Sequence, residues 1–462
     1  MITIRQIRSE IPGMLRLAVP LAMAELGWIL MHIVDIAMVG RLGADAIAAV
    51  SVGTAVFHVF AIVSEGLLLG LDALVSQQYG AGKLDECHRS LWAAIQFALP
   101  LSLVMIVLIW AAVPVLPIIG IAPAVTGLTG PFLRALAWSL PPLLLFFGLR
   151  RYLQAMHLVR IIPFALISAN LVNFGFNYAL IYGHFGLPAM GPEGSGWSTT
   201  ISRTYMLGVL VLYTLVQNHK RNFRIGRFVW PLHGERIREI VKLGIPAAAQ
   251  IGLEVGAFAA STLIAGRLGA VIVSGHQIAI SMASLTFMVP LGIASATAVR
   301  VGNAVGRRDP EGANAAGWTG VGVSAAFMSM AAVVFWTLPH PIASIFTRDP
   351  QVLSLAVSLL LIAAVFQFFD GVQVTAIGAL RGSGDTRTAM LTNIVGWWVV
   401  GLPLGAYLCF ARGWGAKGIW IGLCTGLILI GCILAVAWRR RVHWMRMATA
   451  EELEEPTAPE LI

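Results

Sequence analysis

Long apolar stretches separated by short polar segments dominate the chain. A helix needs roughly 20 residues to cross about 30 Å of hydrocarbon, and twelve stretches are long enough. They begin near Leu15, Ile47, Leu91, Pro131, Ile161, Gly196, Ile240, Ser274, Ala315, Leu353, Met390 and Lys417. Apolar and polar residues do not alternate, and an open sheet cannot satisfy its backbone in lipid. The pattern predicts an all-α integral membrane protein with twelve transmembrane helices.

Composition agrees with the pattern, since 58% of the 462 residues are hydrophobic and 11% are charged. Average soluble domains have about 45–50% and about 25%. The charged start followed by apolar residues resembles a signal peptide, but no small-residue cleavage site follows and the apolar run is full length. We therefore expect the first helix to be retained. The four cysteines are scattered without metal-ligand spacing, so we expect them to be packing residues.

The chain repeats itself with an offset of 226 residues. The segment "LAVP" (17–20) aligns with "LGIP" (243–246), and "VGRLGA" (39–44) aligns with "AGRLGA" (265–270). The same register continues without a gap to Trp92 and Trp318. Each repeat holds six helices, an even number, so both repeats enter the membrane in the same orientation and leave a cleft between two bundles.

The repeat predicts four regions. They are a first lobe (1–216), a basic cytoplasmic linker with a short amphipathic helix (217–242), a second lobe (243–440) and a cytoplasmic tail (441–462) whose acidic end, from residue 448, is expected to be disordered.

Basic residues indicate the orientation in the membrane. With a cytoplasmic N-terminus, 24 of the 31 Lys and Arg residues fall on the cytoplasmic side, Arg150 and Arg151 among them as loop residues, and 6 fall opposite. Arg203 lies within a helix. This positive-inside bias predicts that both termini are cytoplasmic. The net charge of +9 is thereby explained by topology, and no nucleic-acid partner is expected.

Motifs of ATP use and hydrolysis are not found. The segment "YGAGKLDE" (79–86) contains Gly-Lys, but its glycine spacing differs from that of a phosphate-binding loop. The sequence has no GxSxG or HExxH motif on a soluble domain. We therefore expect no enzyme and no cofactor, and favour ion-coupled transport with Na⁺ or H⁺ as the coupling ion.

Six acids lie in the predicted helices, where a charge costs about 2.5–3.5 kcal/mol on insertion scales. They are Glu25, Asp35, Glu65, Asp72, Glu254 and Asp370. Asp72 lies near the cytoplasmic end of its helix, where it can pair with loop arginines. The other five need an interior partner or a water-filled cavity.

Helical spacing places four of these acids in three polar stripes, two of which include aromatic residues. The stripes are Glu25, Trp28, His32 and Asp35; Gln250, Glu254 and Ser261; and Phe366, Phe369, Asp370 and Gln373. Carboxylates beside aromatic rings suit a proton, Na⁺ or an organic cation. The cleft candidates are therefore Glu25, Trp28, His32, Gln250, Phe366, Phe369, Gln373 and Gln277.

Structural alternatives stay open for these residues. Glu25 and Asp35 could be hydrogen-bonded to backbone or to His32, and the two phenylalanines could be packing residues. His276 is expected to be a satisfied buried histidine rather than a proton relay.

Four motifs together resemble the multidrug and toxic compound extrusion (MATE) family, and its bacterial NorM-type branch in particular. They are "VDIAMVGRLGADAIAAVSVG" (34–53), "GLDALVSQQYGAG" (70–82), "SGHQIAISMASLTFMVPLGIASATAVRVGNAVG" (274–306) and "ALRGSGDTRTAM" (379–390). The resemblance implies two six-helix lobes forming a V, and export of organic cations and other amphiphilic compounds in exchange for Na⁺ or H⁺.

The resemblance also implies roles for single residues. Glu254 and Asp370 match the cation-binding acids of the second lobe, where Na⁺ is a candidate ligand, and Asp35 matches the acid of the first lobe. Asn173 and Asn177 match the polar positions that accompany Asp35. Phe366 stands where some NorM-type members have a tyrosine, and Asn177 is an aspartate in other branches.

The predicted function is thus a secondary active multidrug efflux antiporter. Its expected partners are small cationic and amphiphilic compounds and the lipid bilayer, and we expect a monomer in the bacterial inner membrane. The alternative is a flippase for a lipid-linked precursor or polysaccharide, which would need a cleft lined by Arg and Lys.

Overall fold

The computed structural model describes residues 4–118, 120–221, 225 and 232–454, and these ranges contain helices but no strand. The α-helices are α1 (Ile4–Val39), α2 (Ala44–Leu68), α3 (Gly70–Gly80), α4 (Leu84–Ala112), α5 (Pro123–Ala137), α6 (Leu140–Ala155), α7 (Ile161–Tyr182), α8 (Pro192–Arg221), α9 (Gly234–Gly266), α10 (Ala270–Gly306), α11 (Pro310–Thr337), α12 (Pro339–Ser344), α13 (Pro350–Gly382), α14 (Arg387–Asn393), α15 (Leu402–Ala406) and α16 (Gly415–Glu454).

The twelve predicted spans are confirmed in the described part of the chain. Eleven helices are long and apolar enough to cross a membrane, and the count is twelve when α5 and α6 form one bent span. These two helices meet at 42°. Pro141 and Pro142 follow the bend, and their rings leave two backbone nitrogens without a hydrogen to donate. The fourth span, predicted as one helix, is therefore broken.

One glycine recurs in the same conformation in both repeats. Gly43 precedes α2 with φ 110° and ψ 177°, and Gly269 precedes α10 with φ 110° and ψ 169°. A side chain would be strained at this φ, so glycine is required at both places. The repeated "RLGA" motif therefore encodes the same turn twice.

Aspartate and proline start two helices of the second repeat. The Asp309 carboxylate accepts a hydrogen bond from the Gly312 nitrogen at 2.7 Å, and the Asp349 carboxylate accepts one from the Gln351 nitrogen at 2.8 Å. Proline follows each aspartate at the first helical position, where no backbone N–H is needed. Both helix starts are thus set by the local sequence.

The chain forms two compact units. The N-unit comprises Pro20–Val75 and Leu84–Gly252, and the C-unit comprises Met1–Val19, Ser76–Lys83 and Leu253–Ile462. In the N-unit, α8 packs against α5, α6 and α7. In the C-unit, α13 packs against α10, α11 and α16. Each unit therefore has a central helix, and α13 is the one that carries Asp370.

Close backbone packing joins α15 and its π-helical neighbours to α16 within the C-unit. The span after α14 continues through π-helical segments at Ile394–Gly401 and Tyr407–Ala411. A Cβ on Gly422 would lie 2.4 Å from the Gly405 backbone, so only glycine allows this approach. Small residues that bring helix backbones together are typical of membrane bundles.

Two predicted segments fall partly outside the described residues. Of the linker, residues 217–221 extend α8 and residues 234–242 begin α9, whereas 222–224 and 226–231 lie outside. The predicted region boundaries stay a prediction. The tail was expected to be disordered from residue 448, but α16 continues to Glu454, so that expectation is wrong for 448–454. Residues 455–462 lie outside the described part.

Candidate functional site

The C-unit contains an acid pair, Glu254 on α9 and Asp370 on α13. Asp370 is 8% exposed, and Glu254 is the charged group that acts on it. Within the described residues, no hydrogen-bond donor or basic side chain is paired with the Asp370 carboxyl. Like charges repel strongly in a medium of low dielectric constant. A proton or another cation between these two carboxylates would therefore lower their energy.

Gln373 on α13 is hydrogen-bonded to Glu254, one acid of the pair. It lies nearly one turn after Asp370 on α13, and its Nε2 donates to Glu254 Oε1 at 2.8 Å. Its Oε1 is buried and has no hydrogen-bond partner among the described residues. Buried polar atoms usually have a partner. This oxygen is thus suited to a further ligand that carries positive charge or donates a hydrogen bond.

The donor set bears on the choice of cation. Among the described residues, no group of three or more His, Cys, Asp or Glu side chains is arranged to hold a metal ion. Hard cations accept carboxylate, amide, carbonyl and water oxygens. Two carboxylates and one amide oxygen are donors of the type that a hard cation accepts, and a carboxylate can also take up a proton.

Phe366 and Phe369 differ in their surroundings. Phe366 is 4% exposed, and its ring stacks on Trp420 with centroids 5.7 Å apart. Phe369 is half-buried and meets the ring of Phe368 edge-on at 5.2 Å. Phe366 therefore has a packing role here, whereas Phe369 keeps surface that a ligand can contact.

Both ring nitrogens of His276 take part in a chain of hydrogen bonds. The Trp420 indole N–H donates to His276 Nδ1 at 3.0 Å, and His276 Nε2 lies 3.0 Å from the Thr262 hydroxyl, which donates to the Phe258 carbonyl. An indole nitrogen only donates, so Nδ1 must accept and the proton is on Nε2. Both ring nitrogens are used in the neutral form, which supports the structural role predicted for His276.

In the N-unit, Asp35 lies in a polar cluster formed by α1, α7 and α8. Its carboxylate accepts hydrogen bonds from Asn177 Nδ2 at 2.7 Å and from the Thr199 hydroxyl at 3.2 Å. Asn177 Nδ2 also donates to Asn173 Oδ1 at 3.0 Å. The structure thus brings together the three residues predicted for this lobe.

The polar residues of α8 were missed in the sequence. Thr199 contacts Asp35, and Ser198 donates to the Asn173 carbonyl at 2.9 Å. Among the described residues, the buried Ser195 hydroxyl and the buried Asn177 amide oxygen have no hydrogen-bond partner. Ser195 and Thr199 are one helical turn apart, a spacing that could have marked a polar stripe.

Two arginines assigned to a cytoplasmic loop are instead buried in α6. Arg150 forms an ion pair with Glu25, and Arg151 Nη1 lies 3.3 Å from Asp72 Oδ2. The side chains of Arg150 and Arg151 are 1% and 7% exposed. Asp72 does pair with an arginine, as predicted, but that arginine lies in a helix. Glu25 has a structural partner other than the expected backbone or His32.

Arg203 and Glu65 belong to the same charged interior of the N-unit. Arg203 is 8% exposed, donates to the Ser139 hydroxyl and lies 4.8 Å from the centre of the Phe57 ring. Glu65 lies in the field of Arg151, Arg150 and Arg203. The buried arginines of this unit are therefore offset by nearby carboxylates.

The remaining cleft candidates are spread over both units. Trp28 stacks on Phe147 at 5.7 Å, and His32 lies 6.2 Å from the ring of His58. Gln250 is buried and falls in the N-unit, whereas Gln277 is exposed on α10 of the C-unit. Their assignment to a substrate cleft stays a prediction.

Known proteins resemble this chain over both repeats. A family model described as MatE matches residues 20–179 and 246–407, two segments that begin 226 residues apart. The probable multidrug resistance protein NorM of Mesorhizobium japonicum is 35% identical over 449 residues, with 94% of each chain covered. Its namesake from Xanthomonas axonopodis pv. citri is 37% identical over 437 residues, again with 94% of each covered.

A solved structure has the same fold. The crystal structure of the eukaryotic MATE transporter AtDTX14 aligns with a TM-score of 0.85 at 21% identity, covering 96% of this chain and 100% of that one. The family match covers both repeats, and the NorM relatives span almost the full length. This chain therefore belongs to the MatE family of multi-pass membrane transporters, in its NorM-type branch.

Proposed function

We propose that the protein is a secondary active antiporter that exports cationic and amphiphilic organic compounds in exchange for Na⁺ or H⁺. The C-unit acid pair is the exchange site, and Asp35 with Asn173, Asn177 and Thr199 forms a second cation or proton site in the N-unit. The observation that carries the proposal is the buried Asp370 carboxyl, which among the described residues lies in the field of another carboxylate, that of Glu254.

Exchange follows from competition for one negative charge. When Na⁺ or H⁺ binds to the C-unit acid pair, it neutralises the charge that attracts a cationic substrate, so the substrate leaves. When the coupling ion leaves on the other side of the membrane, the charge returns and the next substrate binds. Because the sites alternate in access, ion entry drives substrate exit. Phe369 adds an aromatic face for a lipophilic cation.

The membrane and the orientation of the chain in it are proposed from the family relationship and from the distribution of basic residues. The two NorM relatives are bacterial proteins with multidrug resistance names, which supports a bacterial inner membrane and a broad substrate range. The positive-inside bias supports cytoplasmic termini. We propose that the protein acts as a monomer.

The flippase alternative is disfavoured by the pairing of the buried arginines. A lipid-linked phosphate would need guanidinium groups free to bind it. Arg150 and Arg151 are paired with Glu25 and Asp72, and Arg203 lies against Ser139 and Phe57. In the C-unit, the buried Asp370 carboxyl lies in the field of a second carboxylate, Glu254, and this pair favours a cation.

Efflux from everted vesicles under separately imposed gradients tests the proposal. We expect one gradient, either of Na⁺ or of pH, to drive uptake of a fluorescent organic cation, and the other to be ineffective. Vesicles with the empty vector give the background. Uptake that persists without either gradient and requires ATP would contradict antiport.

A further inference from the structure

A crevice of about 700 Å³ lies in the C-unit, between α16 and the turn that joins α13 to α14. Its apolar part is formed by Cys432, Ile433 and Val436 on α16. Its polar part is formed by Arg440 and Arg441, farther along the same face of α16, with Asp385 from the turn and Thr388 from the start of α14. One opening thus passes from apolar to charged lining along a single helix.

The change in lining coincides with the end of the apolar part of α16. The run of apolar residues ends at Trp438, and three arginines follow at 439–441. Cys432 is eight residues before Arg440, which places it about 12 Å deeper along the helix axis. Trp444, also in the lining, is a residue typical of the membrane–water interface. The crevice therefore spans the boundary between hydrocarbon and headgroups.

The charges in the crevice are not equally available. Arg441 donates to the Ser383 carbonyl at 2.9 Å and lies 4.7 Å from the centre of the Trp444 ring, so its position is fixed. Both Asp385 oxygens accept hydrogen bonds from Thr388, from its nitrogen at 3.1 Å and its hydroxyl at 2.7 Å. Arg440 is exposed. The crevice therefore contains two positive guanidinium groups and one carboxylate, and the carboxylate already accepts hydrogen bonds from Thr388. The net charge of its lining is positive.

We propose that this crevice binds an anionic phospholipid of the cytoplasmic leaflet, with the phosphate beside Arg440 and Arg441 and an acyl chain along Val436 and Cys432. Guanidinium groups bind phosphate through charge-assisted hydrogen bonds, and basic pockets at the cytoplasmic side of membrane bundles suit anionic headgroups. Free phosphate would contact only the charged part of the crevice. It would not cover the exposed Val436 side chain, whereas the acyl chain of a lipid would.

A bound lipid would connect α16 to the cytoplasmic end of α13, the helix that carries Asp370. Arg441 already joins these elements through Ser383. The lipid adds a second connection between them. This inference does not depend on antiport, since it concerns lipid binding at a place remote in sequence from the acid pair.

Cys432 gives a direct probe of the crevice. It is exposed, whereas Cys87, Cys409 and Cys424 are buried, so an uncharged maleimide should label Cys432 and leave the variant Cys432→Ser unlabelled. The experiment measures the labelling rate of delipidated protein in a neutral detergent after addition of phosphatidylglycerol, of phosphatidylcholine with the same acyl chains, or of inorganic phosphate.

We expect phosphatidylglycerol at ten times its Kd to slow labelling about tenfold, and phosphatidylcholine and phosphate to leave the rate unchanged. Arg440→Gln should weaken lipid binding about tenfold through loss of a charge-assisted contact. Arg439→Gln removes the same charge one residue away, outside the crevice lining, and should keep full protection.

Three results would overturn the proposal. One is equal protection by phosphatidylcholine or by phosphate alone. Another is the same response of Arg439→Gln and Arg440→Gln, which would indicate attraction to the micelle surface only. The third is faster labelling of lipid-free protein after deletion of residues 449–462, because the acidic tail would then be the occupant.

Discussion

Asp370→Asn is expected to lower efflux of an organic cation at least tenfold without lowering the amount of protein in the membrane. Asparagine has nearly the same shape as aspartate but cannot hold a negative charge, so the C-unit acid pair loses half of its attraction for a cation. A loss of about 1.4 kcal/mol already corresponds to tenfold. The measurement is substrate transport in everted vesicles, normalised to the protein detected by immunoblot.

A matched substitution exists on the same helix. Asp349 caps the exposed start of α13, and asparagine is an equally good capping residue. Asp349→Asn should therefore transport at the wild-type rate. Full efflux with full ion dependence in Asp370→Asn would contradict the proposed exchange site.

Arg150→Gln is expected to cost about 3–5 kcal/mol of unfolding free energy, because it leaves the Glu25 carboxylate buried without its ion partner. The Arg150 and Glu25 side chains are 1% and 12% exposed, so water cannot replace the lost contact well. Unfolding of the purified protein in detergent, followed by circular dichroism, gives the change. The double variant Glu25→Gln with Arg150→Gln should recover most of the loss.

An exposed ion pair serves as the control for this experiment. Arg446 and Glu311 are joined by two hydrogen bonds, and their side chains are 36% and 53% exposed. Surface pairs contribute about 0–1 kcal/mol, so Arg446→Gln should have a small effect. An equally small effect of Arg150→Gln, or a double variant as unstable as the single one, would show that the buried pair does not stabilise the N-unit.

Elements with a local cause were predictable from the sequence. The spans follow from apolar length, and the repeat follows from one register that continues through the loops. The break between α5 and α6 was not predicted, because the length of an apolar stretch does not show whether the helix within it is bent. The prolines after Ser139 were the available signal. The π-helical segments have no comparable mark in the sequence.

Contacts between side chains that are far apart in the sequence were harder to predict. The sequence alone predicts a loop position for Arg150, because a charged residue usually indicates contact with water. Its partner Glu25 lies 125 positions away, and a single sequence does not reveal such a pair. Asp35, Asn173 and Asn177 were placed through family resemblance, whereas Thr199 was overlooked although a turn-spaced polar stripe marks it on α8. Glu254 and Gln373 are joined across two helices, which helical spacing alone could not establish.

The most direct test of the account is competition between the coupling ion and a cationic substrate for the purified protein. The apparent affinity for a fluorescent organic cation should fall as the concentration of Na⁺ or H⁺ is raised. The maximal binding signal should be recovered at a high concentration of the organic cation. Asp370→Asn should weaken that dependence, because Glu254 is then the remaining acid of the pair. Binding that is unaffected by either ion in the wild-type protein would contradict the claim that ion and substrate share the negative charge of Glu254 and Asp370.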